Sequence, residues 1–278
     1  MSGQSFSVRR VRLIAGNTVR EAIRQRLFAF VGLLAVALVV SAHWLRELNF
    51  GSSELKFIAD FGFGAMAFFG SVLTIIAMAQ LFFSEIEHRT VLTLLAKPVR
   101  RSEFVIGKYS GVVALAGVFC ATLTLLLMAV LWFRETTLMR DFPDAFGHGR
   151  AVSYLAVGVA GFAQWLKLAI LGVGTLIVGS FARTQLFTTA AGFMILLICQ
   201  LVFLAENAAV QGGSVVARLA AKSLLLLFPN FQLFDLSDSL GAGESVAWIQ
   251  LARLIAYSAG YVIVACMLAV LAFRRREI

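Results

Sequence analysis

Six apolar runs, each bounded by charged or polar residues, follow one another along the chain: Leu27 to Ala42, Phe61 to Phe83, Tyr109 to Phe133, roughly Phe162 to Ala182, Leu186 to Ala205, and Ile249 to Phe273. About 20 apolar residues are enough to cross a hydrocarbon core as a helix. The pattern therefore predicts an all-α integral membrane protein with six transmembrane helices and both termini on one side. The first run is the shortest, and Trp44 with the aliphatic stems of Arg26 and Arg46 extends it by snorkelling. Ahead of it, Val8, Val11, Ala15, Val19, Ala22 and Ile23 fall near one helical face, with Arg9, Arg12, Arg20, Glu21 and Arg24 largely on the others. Residues 1–26 are thus expected either to carry an amphipathic helix lying on the inner membrane surface or to be a simple positively charged anchor.

Composition agrees with the pattern. The 278 residues are 60% apolar and 14% charged, against about 45–50% and 25% for soluble domains. Six spans leave no room for a soluble domain, which needs on the order of 100 residues, so residues 1–278 read as a single membrane domain. A self-contained ATPase or kinase is excluded, and any soluble chemistry must come from a partner.

The net charge of +9 could point to nucleic acid or to an anionic membrane face, and its location decides. Arg9, Arg10, Arg12, Arg20, Arg24 and Arg26 precede the first run. Arg89, Lys97, Arg100, Arg101 and Lys108 lie between the second and third, Arg183 between the fourth and fifth, and Arg274, Arg275 and Arg276 after the last. The opposite side holds fewer: Arg46, Lys56, Arg134, Arg140, Arg150, Arg218 and Lys222. Cytoplasmic connections carry the excess of Lys and Arg, so both termini are expected in the cytoplasm of a multi-pass inner (plasma) membrane protein. The basic charge then reflects orientation and contact with membrane lipid, with no nucleic-acid partner expected. The Arg9-Arg10 pair lacks the polar residue before it and the close apolar region of a twin-arginine signal, and no cleaved signal peptide is expected.

Tryptophan prefers membrane boundaries, and Trp44, Trp132, Trp165 and Trp248 fall at the expected outer ends of spans. Lys167 lies about 24 Å from Arg183 at 1.5 Å per residue, which places it near the outer boundary, snorkelling beside Trp165. Arg253 is expected to do the same beside Trp248. The outer connections are residues 134–161, expected to be irregular and then apolar from Tyr154 to Gly161, and the extracytoplasmic loop 206–248. The latter carries a short helix around Val215 to Phe228, a turn at Pro229-Asn230, and the acids Asp235, Asp238 and Glu244, read as solvated.

Chemistry-bearing patterns are sparse. Cys120, Cys199 and Cys266 sit in apolar runs without CxxC spacing, and His43, His88 and His148 form no metal-binding motif. No catalytic residue, metal ligand or cofactor site is expected. Gly172, Gly174 and Gly179 suit close helix packing, and Phe61, Phe63, Phe68, Phe69, Phe82 and Phe83 suit either packing or an apolar path.

The connection over residues 84–108 is too polar to span, yet has an apolar pattern of its own. Thr90 to Ala96 suits a short helix, with Glu85 and Glu87 before its positive end and Pro98 stopping it. Ser102 and Glu103 suit the start of a second helix that runs into the third span, with Gly107 and Gly111 at GxxxG spacing. Gly107-Lys108 is not the end of a phosphate-binding loop, because Ser102 and Tyr109 occupy positions that need Gly and Ser or Thr.

The series Glu85-x-Glu87-x-x-Thr90-x-x-x-Leu94-Leu95-x-x-Pro98-Val99-x-Arg101-x-x-Phe104-x-x-Gly107-Lys108 resembles the loop between spans two and three of type-2 ATP-binding-cassette transporter permeases. Among these it is most similar to the small permeases of multicopper-enzyme maturation, including nitrous-oxide-reductase copper-site assembly. The resemblance implies a coupling helix seated in a groove of a separate ATP-binding subunit, which would carry the ATP and Mg. It implies that Glu85, Glu87, Arg89, Thr90, Leu94 and Leu95 contact that partner, while Pro98, Arg101, Phe104 and Lys108 set the turn back into the membrane. It further implies a non-catalytic permease, an exporter half that pairs with a second copy or a similar chain. The alternatives are an ion-coupled secondary transporter, which usually shows inverted repeats and intramembrane ionisable groups, or a membrane scaffold. The transported substrate stays open among lipid-like, peptide and small-ion cargo.

Overall fold

The computed structural model describes residues 6–41, 54–87, 100–142, 152–210, 228–236 and 248–274. These residues form seven α-helices and one 3-10 turn, with no strand among them. The helices are α1 (Val8–Arg24), α2 (Arg26–Ser41), α3 (Glu54–Glu87), α4 (Arg101–Asp141), α5 (Tyr154–Phe181), α6 (Gln185–Val210) and α7 (Trp248–Arg274), and the turn is Phe231–Phe234. Helices α3 to α7 are each long and apolar enough to cross a membrane. Helix α2 has 16 residues, about 24 Å at 1.5 Å per residue. The extended backbone of Gln25 (φ −84, ψ 123) ends α1, and the chain bends by 70° into α2, so that α1 and α2 together make up a sixth candidate span.

Helix α4 overruns its predicted limits. No Gly or Pro stands between Gly117 and Pro143 to stop it, and the helix runs 41 residues to Asp141, about 60 Å against a hydrocarbon core of roughly 30 Å. The helix therefore takes in residues 134–141 of the connection expected to be irregular, while residues 143–151 lie outside the described residues. The expected apolar stretch from Tyr154 to Gly161 is the opening of α5. There the Ser153 hydroxyl oxygen accepts the Ala156 N–H at 3.4 Å. The short helix expected around Val215 to Phe228 lies outside the described residues apart from Phe228, while the turn at Pro229-Asn230 leads into the 3-10 turn, where Asn230 Oδ1 accepts the Gln232 N–H at 2.9 Å.

Helix α5 stands at the centre, packed by α3, α4, α6 and α7. Helix α2 lies against α3 and α4, and α1 lies along α4. Apolar side chains on the outside of α6 and α7, such as Leu186, Met194, Leu197, Val264 and Met267, are exposed, as suits lipid-facing surface. The central contacts are close because small residues admit them. A Cβ on Gly161 would come within 2.1 Å of the Thr124 hydroxyl, whereas at Gly174 and Gly179 it would meet ordinary contacts of 3.5 and 3.4 Å. The tightest crossings thus fall elsewhere than on the Gly172, Gly174, Gly179 face. The phenylalanines of α3 divide: Phe63, Phe82 and Phe83 are buried, while Phe68 is exposed.

Lys167 and Trp165 depart from expectation. Both sit near the middle of α5, because that helix starts at Tyr154 instead of Phe162. Trp165 Nε1 donates to the Val113 carbonyl of α4 at 3.0 Å, so its indole N–H is met inside the bundle. Lys167 is 5% exposed, and its ammonium lies 5.4 Å from the centroid of the Phe231 ring. An aromatic face stands where water was expected.

Candidate functional site

Helix α3 ends at Glu87 and α4 begins at Arg101, so the segment singled out by its sequence joins the ends of two long helices. Of the residues assigned to it, Arg89, Thr90, Leu94, Leu95 and Pro98 lie outside the described residues. Glu85 and Glu87 belong to the last turns of α3 by backbone. Arg101, Phe104 and Lys108 lie in the first turns of α4, and their surroundings differ. Arg101 is half-buried. Phe104 is buried among rings of three helices, its centroid 5.9 Å from those of both Phe82 of α3 and Phe273 of α7. Phe82 and Phe273 meet edge-on at 5.6 Å. This aromatic corner fastens α3, α4 and α7 together where the segment departs.

Lys108 is 1% exposed and its ammonium lies 3.5 Å from Glu21 Oε2 on α1. Phe104 and Lys108 therefore face this chain's own helices, a placement that holds the start of α4 in position.

Sequence reasoning missed Glu103. Its carboxylate is fully buried and accepts three hydrogen bonds, from the Ser7 N–H at 2.7 Å, the Arg10 guanidinium at 3.0 Å and the Arg100 N–H at 3.1 Å. The last of these satisfies an N–H at the helix start, as a capping glutamate does; the first two tie α1 to α4. A sequence signal existed in Ser102-Glu103 as a helix start, but nothing local pointed to a partner 93 residues away.

The glycines at GxxxG spacing receive α1. A Cβ on Gly107 would stand 2.8 Å from the Ile14 Cβ, and one on Gly111 would stand 2.6 Å from the Thr18 Cβ and 2.9 Å from the Ala15 carbonyl. Small residues let two backbones approach closely, and here the approaching element is α1. Its buried positions are Thr18 and Ala22. The Arg9, Arg12, Arg20 and Arg24 side chains, with Leu13 and Ile23, are turned outward. Part of the apolar face expected to meet lipid is thus spent on α4. The resulting unit has α1 clamped along the first turns of α4 by one groove and two ion pairs, with a basic outer face.

Residues 12–278 match the family model described as ABC-2 family transporter protein. No curated protein matches the chain.

Proposed function

The chain belongs to the ABC-2 transporter family, a family of multi-pass membrane permease subunits, and on that premise we propose that it is one half of an exporter driven by a separate ATP-binding subunit. The observation that supports this reading is that the chain leaves α3 at Glu87 and re-enters at Arg101, at the end of α4 against which α1 is clamped. A push on the chain between these points acts directly on two helices long enough to span the membrane. In this reading Glu85, Glu87, Arg89, Thr90, Leu94 and Leu95 meet a groove of the ATP-binding subunit, with a few apolar anchors ringed by charge. Pro98 and Arg101 turn the chain back, and Phe104 and Lys108 transmit the movement to α3, α7 and α1. ATP and Mg reside on the partner, two permease chains make up the pathway, and both termini face the cytoplasm, in agreement with the distribution of Lys and Arg. The motif over residues 85–108 supports the multicopper-enzyme maturation type within the family. The ion-coupled carrier and scaffold readings give way to the family assignment.

The test is a pulldown of tagged, detergent-solubilised protein from its native membrane, comparing the unaltered chain with a Glu87→Lys/Leu94→Asp double variant. A soluble ATP-binding subunit is expected to copurify with the former and to be lost with the latter, while both permeases elute as folded protein. Absence of such a subunit under gentle extraction of the unaltered chain would sink the proposal.

A further inference from the structure

Where α1 bends into α2, a groove of about 290 Å³ opens between α2 and α4. Buried Leu73, Leu115 and Leu123 form its floor, and exposed Ile23, Val118 and Thr122 stand along its rim. Phe28, Gly32 and Val36 line the α2 side; their spacing of four puts them on one helical face, over a rise of about 12 Å at 1.5 Å per residue. The gap persists because Gly32 has no side chain, and a Cβ added there would meet nothing within 4 Å. The Thr122 hydroxyl already donates to the Val118 carbonyl at 2.8 Å, so no side chain of the groove asks for a polar guest. By its walls alone the slot accepts any hydrocarbon; the charges at its foot are more selective.

Three exposed arginines surround that foot. Arg20 stands one turn before Ile23 on the same helical face, Arg24 follows Ile23, and Arg26 opens α2 two residues ahead of Phe28. Among the described residues no carboxylate pairs with any of them: Glu103 takes Arg10, Glu21 meets Lys108, and Glu54 takes Arg134. Guanidinium groups bind phosphate with paired, charge-assisted hydrogen bonds. A second copy seated here about a two-fold axis would set one basic α1 against another, and like charges facing each other are unfavourable. An apolar slot that ends at unpaired cations complements a molecule with a hydrocarbon tail and an anionic head.

We propose that this groove binds an anionic phospholipid, with one acyl chain lying between α2 and α4 and the phosphate held by Arg20, Arg24 and Arg26. The site is built from this chain alone and requires only that the chain lie in a membrane, so it stands or falls apart from the docking of an ATP-binding subunit.

The full chain in detergent is given an equimolar mixture of phosphatidylglycerol and phosphatidylcholine with identical acyl chains, and the retained lipid is read by native mass spectrometry. Phosphatidylglycerol adducts are expected to exceed phosphatidylcholine adducts by about fivefold for each arginine engaged. The triple variant Arg20→Gln/Arg24→Gln/Arg26→Gln, altered only at exposed positions, is expected to lose that preference. Gly32→Leu, whose Cβ has open space, fills the slot and is expected to lower adducts of both lipids. Phosphatidylglycerol with a diazirine on its acyl chain is expected to label residues 28–36 and 115–123 in the unaltered chain, and to lose that labelling in Gly32→Leu. The inference is overturned if the unaltered chain retains both lipids equally, if the triple variant keeps the preference, or if labelling spreads evenly over the exposed faces of α6 and α7. It is equally overturned if Gly32→Leu converts a dimer to a monomer with lipid retention unchanged, which would assign the groove to a second copy.

Discussion

Glu103 illustrates how much a single side chain can organise. A buried carboxylate is tolerated only when paired and hydrogen-bonded, and its three donors come from two separate elements. Glu103→Ala takes this acceptor from the half-buried Ser7 N–H and Arg10 guanidinium, at a cost of about 1–3 kcal/mol. The expected outcome is a lower melting temperature and faster tryptic cleavage after Arg12, Arg20 and Arg24, whose side chains already face outward; unchanged cleavage would show that α1 is held by other contacts. The charge of Glu103 is plain in the sequence, but its burial is not, since Ser7 and Arg10 lie far away along the chain. The same holds for Lys167. Its neighbour Trp165 suggested a boundary, whereas the α4 carbonyl of Val113 takes the indole N–H and the Phe231 ring receives the ammonium.

For whole elements, the decisive contact is that between α1 and α4. Gly111 leaves space that the Thr18 side chain and the Ala15 carbonyl fill, and a backbone oxygen cannot be moved by a rotamer change. Gly111→Leu is therefore expected to lift α1 from α4, seen as a strong rise in amide hydrogen exchange over residues 8–24. Gly260→Ala, with nothing within 4 Å of the added Cβ, is the control and is expected to leave exchange unchanged. If both variants exchange like the unaltered chain, close backbone approach is not what seats α1. The GxxxG spacing was legible in the sequence because small residues at i and i+4 share a face; its occupant was not, because α1 reads equally well as lipid-facing. Helix α4 shows the reverse case: loop-forming residues appear only after Asp141, so propensity carried the helix past the polar boundary at Arg134.

For the molecule as a whole, the arrangement predicts that docking and transmission are separable. Phe104 is buried inside the ring cluster with Phe82 and Phe273. Phe104→Leu is expected to leave copurification of an ATP-binding subunit intact while lowering the ATP-hydrolysis rate of the assembled complex severalfold, because the start of α4 no longer moves as one body with α3 and α7. Loss of copurification instead would place Phe104 in the docking surface itself. The sequence by itself determined the membrane class, the helical runs, the basic end and the family-like segment, because each depends on composition or on periodicity over neighbouring residues. Only the tertiary structure decided which surface α1 covers, why Glu103 and Lys108 can be charged and buried, and that Lys167 meets the Phe231 ring. Each of these is a pairing between residues far apart in the chain, and a buried charge is stabilised or not by whatever the fold brings within a few ångströms of it.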